Sequence, residues 1–197
     1  MKKHIDNIHL FDVPVVVAIN KFKDDSDDEL MTIRNYALDN GAEAAVIVNP
    51  FNEGSKGCLI LAEKVVDISS KKNNTCFLYN ASSSIKNKIE NIAHSIYGAK
   101  RILYSNEAEK TIKLLEELSI NDCPVNIAKT PLSLSDDPEL IGCPENFDLH
   151  IKSIRAMAGA NYILAIAGDI LTMPGLPKNA AAHKIYVDDA GIIKGLF

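Results

Sequence analysis

Two phenylalanines, two lysines and a glycine-bracketed loop are the groups in this sequence best suited to holding a small molecule. Asn20-Lys21-Phe22 closes the stretch 13–22, VPVVVAINKF, and Phe51-Asn52-Glu53-Gly54-Ser55-Lys56-Gly57 follows the apolar run 44–48. Phe22 and Phe51 offer flat apolar walls, and Lys21 and Lys56 offer cations. Gly54 and Gly57, with Ser55 between them, let backbone approach a ligand closely. A helix starting after Gly57 would favour an anion at its N-terminus. The bland alternative is a tight turn flanked by ordinary surface lysines.

The elements that position these groups follow from patterning. Five apolar residues in a row at 15–19, mostly β-branched, read as a strand buried on both faces, and it stops at the polar pair Asn20-Lys21. Ligands of open α/β sheets collect at such carboxyl ends, although an ordinary core strand with a solvated end has the same pattern. Between the two strands lies a helix of residues 24–41, with Asp24, Asp25, Asp27 and Asp28 at its positive end and Gly41 as its stop. That acidic run complements the helix dipole better than it builds a metal site. Strand, helix, strand, loop, helix is a βαβα unit whose strand ends share one edge, so Phe22 and Phe51 are expected to face one cleft.

The rest of the chain reads as scaffold. Ile5, Ile8 and Phe11 predict a short helix over 2–11, and helices are expected at 58–67, 85–97 and 106–118, the second closed by Gly98. Further strands are expected at 75–79, 101–104, 124–128, 147–154 and 161–170. Ser135 or Asp136 is expected to cap a helical turn. Residues 172–178, TMPGLPK, predict an ordered loop, and 185–197 ends in a hairpin turned at Asp189-Ala190-Gly191. The expected fold is α/β: a mainly parallel, Rossmann-like sheet of about five strands with helices on both faces, plus an irregular β-rich C-terminal extension.

Composition narrows the function. Among 197 residues, 47% are apolar and 24% charged, which is ordinary for a soluble globular protein, and the net charge of −5 argues against nonspecific nucleic-acid binding. Cys58, Cys76, Cys123 and Cys143 lack the spacing of a zinc site or redox dithiol, so reduced thiols and a cytoplasmic location are expected. No apolar run approaches the length of a membrane span. The five histidines are scattered, and no metal site is expected. The sequence has no GxxxxGK[ST], GxGxxG, HExxH or GxSxG motif, and Asn20-Lys21-Phe22-Lys23-Asp24 misses the guanine-reading NKxD by one position. No catalytic residue is expected within the chain.

A family resemblance runs the full length. The segment from Lys3-His4-Ile5 to Phe11, the stretch VPVVVAINKF, the loop 51–57, Ala128-Lys129-Thr130 with Ser133-Leu134-Ser135-Asp136-Asp137-Pro138, Gly168-Asp169-Ile170 with MPGLPK, and the ending Gly195-Leu196-Phe197 resemble the C-terminal part of formate-tetrahydrofolate ligase. The resemblance implies an ATP-dependent ligase in which ATP phosphorylates formate and the N10 amine of tetrahydrofolate attacks the formyl phosphate. It implies that Phe22 and Phe51 sandwich the pterin, with Lys21 and Lys56 as partners for the folate carboxylates. Asn20, Gly54, Ser55 and Gly57 would line the cleft. In the family, ATP and Mg are held by an N-terminal P-loop portion that this sequence does not contain. The chain is therefore expected to be a single domain like the family's third, inactive alone and completed by a separate N-terminal ligase chain, with a homo-oligomer also open. A non-catalytic remnant or subunit module that keeps the fold is the alternative.

Some positions depart from the family pattern. Phe51 stands where a tryptophan is usual, Pro131-Leu132 replace Gln-Tyr, Cys143 replaces arginine, Met157 replaces serine, and Tyr186 interrupts Ile-Asp-Val-Asp. The smaller face of Phe51 and its missing indole N–H should weaken pterin binding without abolishing it.

Overall fold

In the computed structural model, residues 1–72, 74–170 and 178–195 are described. The apolar run near the N-terminus forms strand β1 (Val16–Asn20), and the second forms β2 (Ala44–Val48). The two pair in parallel, with Val16 opposite Ala44 and Asn20 opposite Val48. Helix α1 (Lys2–His9) precedes them and helix α2 (Asp27–Asp39) joins them. A reciprocal cap starts α2: Ser26 Oγ accepts the Glu29 N–H at 3.3 Å while the Ser26 N–H donates to Glu29 Oε2 at 3.0 Å. Ile5, Val15, Ile19, Leu30, Ala37, Ala42 and Ala45 form the core of this half.

After β2 come a single turn, α3 (Pro50–Glu53), a 3-10 turn over Gly54–Cys58, and helix α4 (Leu59–Ser69). The chain then crosses to a second unit through residues that carry no strand at 75–79, contrary to expectation. The Cys76 N–H donates to the Phe11 carbonyl at 3.1 Å, no ladder among the described residues includes this segment, and Phe77 is 85% exposed. Thr75–Tyr79 has the composition of a strand but is assigned to none of the sheets among the described residues.

The second unit holds helix α5 (Ile85–Ile92), a π-helical turn over Ala93–Tyr97, strand β3 (Arg101–Tyr104), helix α6 (Asn106–Glu117) and strands β4 (Val125–Ala128), β5 (Asp148–Met157) and β6 (Tyr162–Ala167). The sheet order is β3-β5-β6-β4, with parallel outer pairs and an antiparallel β5–β6 pair in the middle. The α/β class is thus as expected, while the strands of the two units form separate sheets rather than one. In β5 the side chains alternate, with Leu149 and Ile151 buried and His150 and Lys152 exposed. With Ile85, Ile89 and Ile163 they form a core in which each fully buried side chain contributes about 1.5–3 kcal/mol.

Lys88 lies wholly inside this unit. Its ammonium donates to the carbonyls of Asn121 and Cys123, the latter at 3.0 Å, and burial pushes its pKa below the ordinary lysine value. The cation ties α5 to the turn before β4.

Residues 131–142 do not form the capped helical turn read from Ser135 and Asp136. Ser133 and Ser135 share a hydroxyl contact of 2.9 Å, and Ser135 Oγ takes the Asp137 N–H at 3.1 Å. Asp136 Oδ2 meets the His150 backbone N–H at 3.2 Å and lies 2.9 Å from His150 Nδ1. The carboxylate is spent fastening the loop to β5, so it is not available to start a helix. A final hairpin, β7 (Tyr186–Val187) with β8 (Ile193–Lys194), turns at 188–191, where Asp188 accepts the Gly191 N–H at 2.9 Å. Residues 171–177 and the last two, Leu196 and Phe197, fall outside the described residues, so the expected ordered loop and the family-like ending do as well.

Candidate functional site

Lys21 continues the β1–β2 ladder one step past the strands, its N–H donating to the Val48 carbonyl at 2.8 Å. The next residue turns away. The Phe22 N–H donates to Asp25 Oδ2 at 2.8 Å, and this turn delivers the chain to the Ser26 cap of α2. The ring of Phe22 is left 68% exposed. On the neighbouring strand Phe51 follows Val48 by three residues, at the first turn of α3, and is 95% exposed. The two strands are paired in parallel register, so both aromatics follow strand ends on the same sheet edge.

The loop after β2 is held by Asn49. Its N–H donates to the Gly57 carbonyl at 3.2 Å, its carbonyl accepts the Glu53 N–H at 3.1 Å, and its amide donates to Glu53 Oε1 at 3.0 Å. Asn52 donates in turn to Asn49 Oδ1 at 2.9 Å. Gly57 sits so close that a Cβ would stand 2.5 Å from the Asn49 carbonyl oxygen, and Gly54 has φ +57° and ψ −140°, a backbone that L side chains avoid. Both glycines are therefore demanded by the loop's path.

A cleft of about 280 Å³ opens here, lined by Lys21, Val48, Asn49, Glu53, Lys56 and Gly57 among others. Of the residues read from sequence, Lys21, Lys56 and Gly57 come together in it. Asn20, Phe22, Phe51, Gly54 and Ser55 are all exposed and lie outside that lining. Glu53 and Asn49 were missed; their spacing of four residues across a helical turn was the available signal.

The electrostatics separate the two lysines. Lys21 Nζ lies 2.8 Å from Asp27 Oδ1, and that hydrogen bond raises its pKa above the ordinary lysine value, with Asp25 and Glu53 adding smaller attraction. Lys56 is exposed and forms no ion pair with the described residues. Among those residues no cluster of three or more His, Cys, Asp or Glu is placed to hold a metal ion, and no helix is long and apolar enough to cross a membrane. All four cysteines are free thiols.

Open α/β sheets hold their ligands at the carboxyl ends of strands, and here two adjacent parallel strands end beside a glycine-shaped loop and two exposed aromatic rings. The family is more specific. The profile of the formate–tetrahydrofolate ligase family matches residues 1–197, the whole chain, and the chain belongs to that family. Its members join formate to tetrahydrofolate.

Proposed function

We propose that the β1–β2 edge is the tetrahydrofolate-binding part of an ATP-dependent formate–tetrahydrofolate ligase, with the pterin stacked between Phe22 and Phe51. The observation that carries this is the release of two exposed rings from neighbouring parallel strands at one sheet edge. A large exposed aromatic has no packing reason to be there, and a flat heterocycle between two rings gains roughly 0.5–1.5 kcal/mol per ring pair beyond its buried area. Lys56 supplies the cation for a folate carboxylate. Lys21, already bound to Asp27, orients the turn that presents Phe22. Asn20, Gly54, Ser55 and Gly57 border the ligand and leave room for its approach.

Activation of formate needs ATP and Mg, and the sequence holds no GxxxxGK[ST] loop to cradle a triphosphate. The proposal therefore places that step on a separate N-terminal ligase portion and assigns these 197 residues no turnover alone, with reduced protein in the cytoplasm as the setting. Tetrahydrofolate binding is the part this chain performs by itself.

Calorimetric titration of the chain with tetrahydrofolate tests the reading. Saturable binding is expected, weakened by Phe22→Ala and, through lost charge attraction, by Lys56→Gln. A folded chain that binds no tetrahydrofolate would leave the subunit-module alternative in its place. Formate-dependent ATP hydrolysis by the pure chain would overturn the assignment of no turnover.

A further inference from the structure

A second cavity, of about 460 Å³, lies away from the β1–β2 edge and shares no lining residue with the cleft there. That size falls within the range of about 300–1,000 Å³ typical of small-molecule sites. Three distant stretches of chain build it. The segment after α1 brings Phe11, the crossing segment brings Phe77 and Tyr79, and the π-helical turn brings Ile96 and Tyr97, with β4 closing the floor.

Each wall is tied down. The π-helical turn is braced from α1: Lys3 Nζ donates to the Ser95 carbonyl at 2.9 Å and Asn7 Nδ2 to the Ile96 carbonyl at 3.1 Å. The crossing segment is pinned at one end by the Cys76 N–H on the Phe11 carbonyl. At the other, the Val125 N–H donates to the Tyr79 hydroxyl at 3.2 Å. Between those two pins Phe77 stands 85% exposed at the cavity, and the protein core makes no use of its ring.

A π-helical turn is a costly departure from the α-helix and occurs most often where a site has been shaped. Here it coincides with four aromatic rings lining one space and a single charged group among the lining residues, the carboxylate of Asp122. The Tyr79 hydroxyl accepts from Val125 and keeps its own proton to donate.

We propose that this cavity is a second ligand site, which takes a flat aromatic heterocycle carrying hydrogen-bond donors along one edge. The rings of Phe77 and Tyr97 provide stacking surface, and Asp122 receives the donors. The inference does not depend on the folate reading, because no residue is common to the two sites.

The test is calorimetric titration of the full chain with aminobenzimidazole, a flat ring system with a donor edge, and with benzofuran, of similar shape without donors. Asp122 and Phe77 are both exposed, so Asp122→Asn and Phe77→Ala should fold, which circular dichroism verifies. The expected result is saturable binding of aminobenzimidazole that Asp122→Asn weakens about tenfold, the loss of a charge-assisted hydrogen bond. Phe77→Ala should weaken both probes, and Asp122→Asn should leave benzofuran unchanged. No saturable binding, or equal affinities in wild type and both variants, would overturn the proposal. So would weakening by Phe22→Ala, which would place the probe at the β1–β2 edge and leave the folate reading untouched.

Discussion

The two-stranded sheet β1–β2 and the four-stranded sheet β3-β5-β6-β4 are finished to different degrees. Around β3-β5-β6-β4, fifteen buried apolar residues of the described chain form one core, whereas the β1–β2 pair shares a core of seven and leaves Phe22 and Phe51 in solvent. Isolated two-stranded sheets are only marginally stable, so β1 and β2 depend on α1, α2 and α4 for their burial. The larger unit buries more of its apolar side chains in one core, and the smaller one leaves two aromatic rings in solvent beside the ends of its strands. Both follow from the same α/β vocabulary, and the difference lies in which side chains find protein partners.

Substitution inside each unit should expose that contrast most strongly. Ile163→Ala removes a fully buried side chain from the centre of the larger sheet and is expected to cost about 2–5 kcal/mol, read by chemical denaturation. Ile19→Ala in the smaller core should fall at or below the lower end of that range; an equal loss would show that the two cores are equally closed. Next in size is Gly57→Ala, whose new Cβ would press on the Asn49 carbonyl. A cost of about 1–3 kcal/mol is expected from overpacking, together with lost tetrahydrofolate affinity as the loop shifts.

Phe51→Ala sharpens the comparison from the other side. A ring 95% exposed contributes little to folding, so denaturation should change by no more than about 0.5 kcal/mol, while tetrahydrofolate binding should weaken about 2- to 10-fold. A stability loss rivalling that of Ile163→Ala would mean that the ring packs in the core and is not a ligand wall.

The smallest effect concerns pH and lies at the edge of the larger sheet. The Arg101 guanidinium, with Nε 2.9 Å from Asp148 Oδ1, holds the Asp148 carboxyl below its ordinary value. A carboxyl lowered in the folded state contributes stability that is complete above its unfolded pKa, about 4, and is lost as pH falls through the folded value. Tm measured against pH should therefore drop on the acid side, and Asp148→Asn should flatten that limb. Because the pair is exposed, salt should shrink the difference.

Much of the smaller unit was legible in the sequence. The run 15–19 and the loop at Gly54 and Gly57 carry their own instructions, since β-branched residues favour a strand and glycines mark a left-handed backbone or a close approach of chain, as Gly54 and Gly57 respectively show. The hairpin at Asp189-Ala190-Gly191 was legible for the same local reason. The larger unit was less so. Thr75–Tyr79 looks like a strand, but it joins none of the sheets among the described residues. The π-helical turn at Ala93–Tyr97 continues an amphipathic pattern that could equally have stayed α-helical, and its register is braced by Lys3 and Asn7, about ninety residues away. Asp136 reads as a cap until His150 is brought against it.

The amino-acid sequence by itself determined the family, the order of most helices and strands, and which aromatic and basic side chains stand at the ends of β1 and β2. Those properties depend on side-chain type and on spacing over a few residues. Tertiary structure alone decided that β1–β2 and β3-β5-β6-β4 are separate sheets, that Lys21 is already bound to Asp27 while Lys56 is not, and that Phe11, Phe77 and Tyr97 meet around one cavity. Each of these depends on which distant groups come within a few ångströms, and that is fixed only when burial and hydrogen bonding are satisfied across the whole fold.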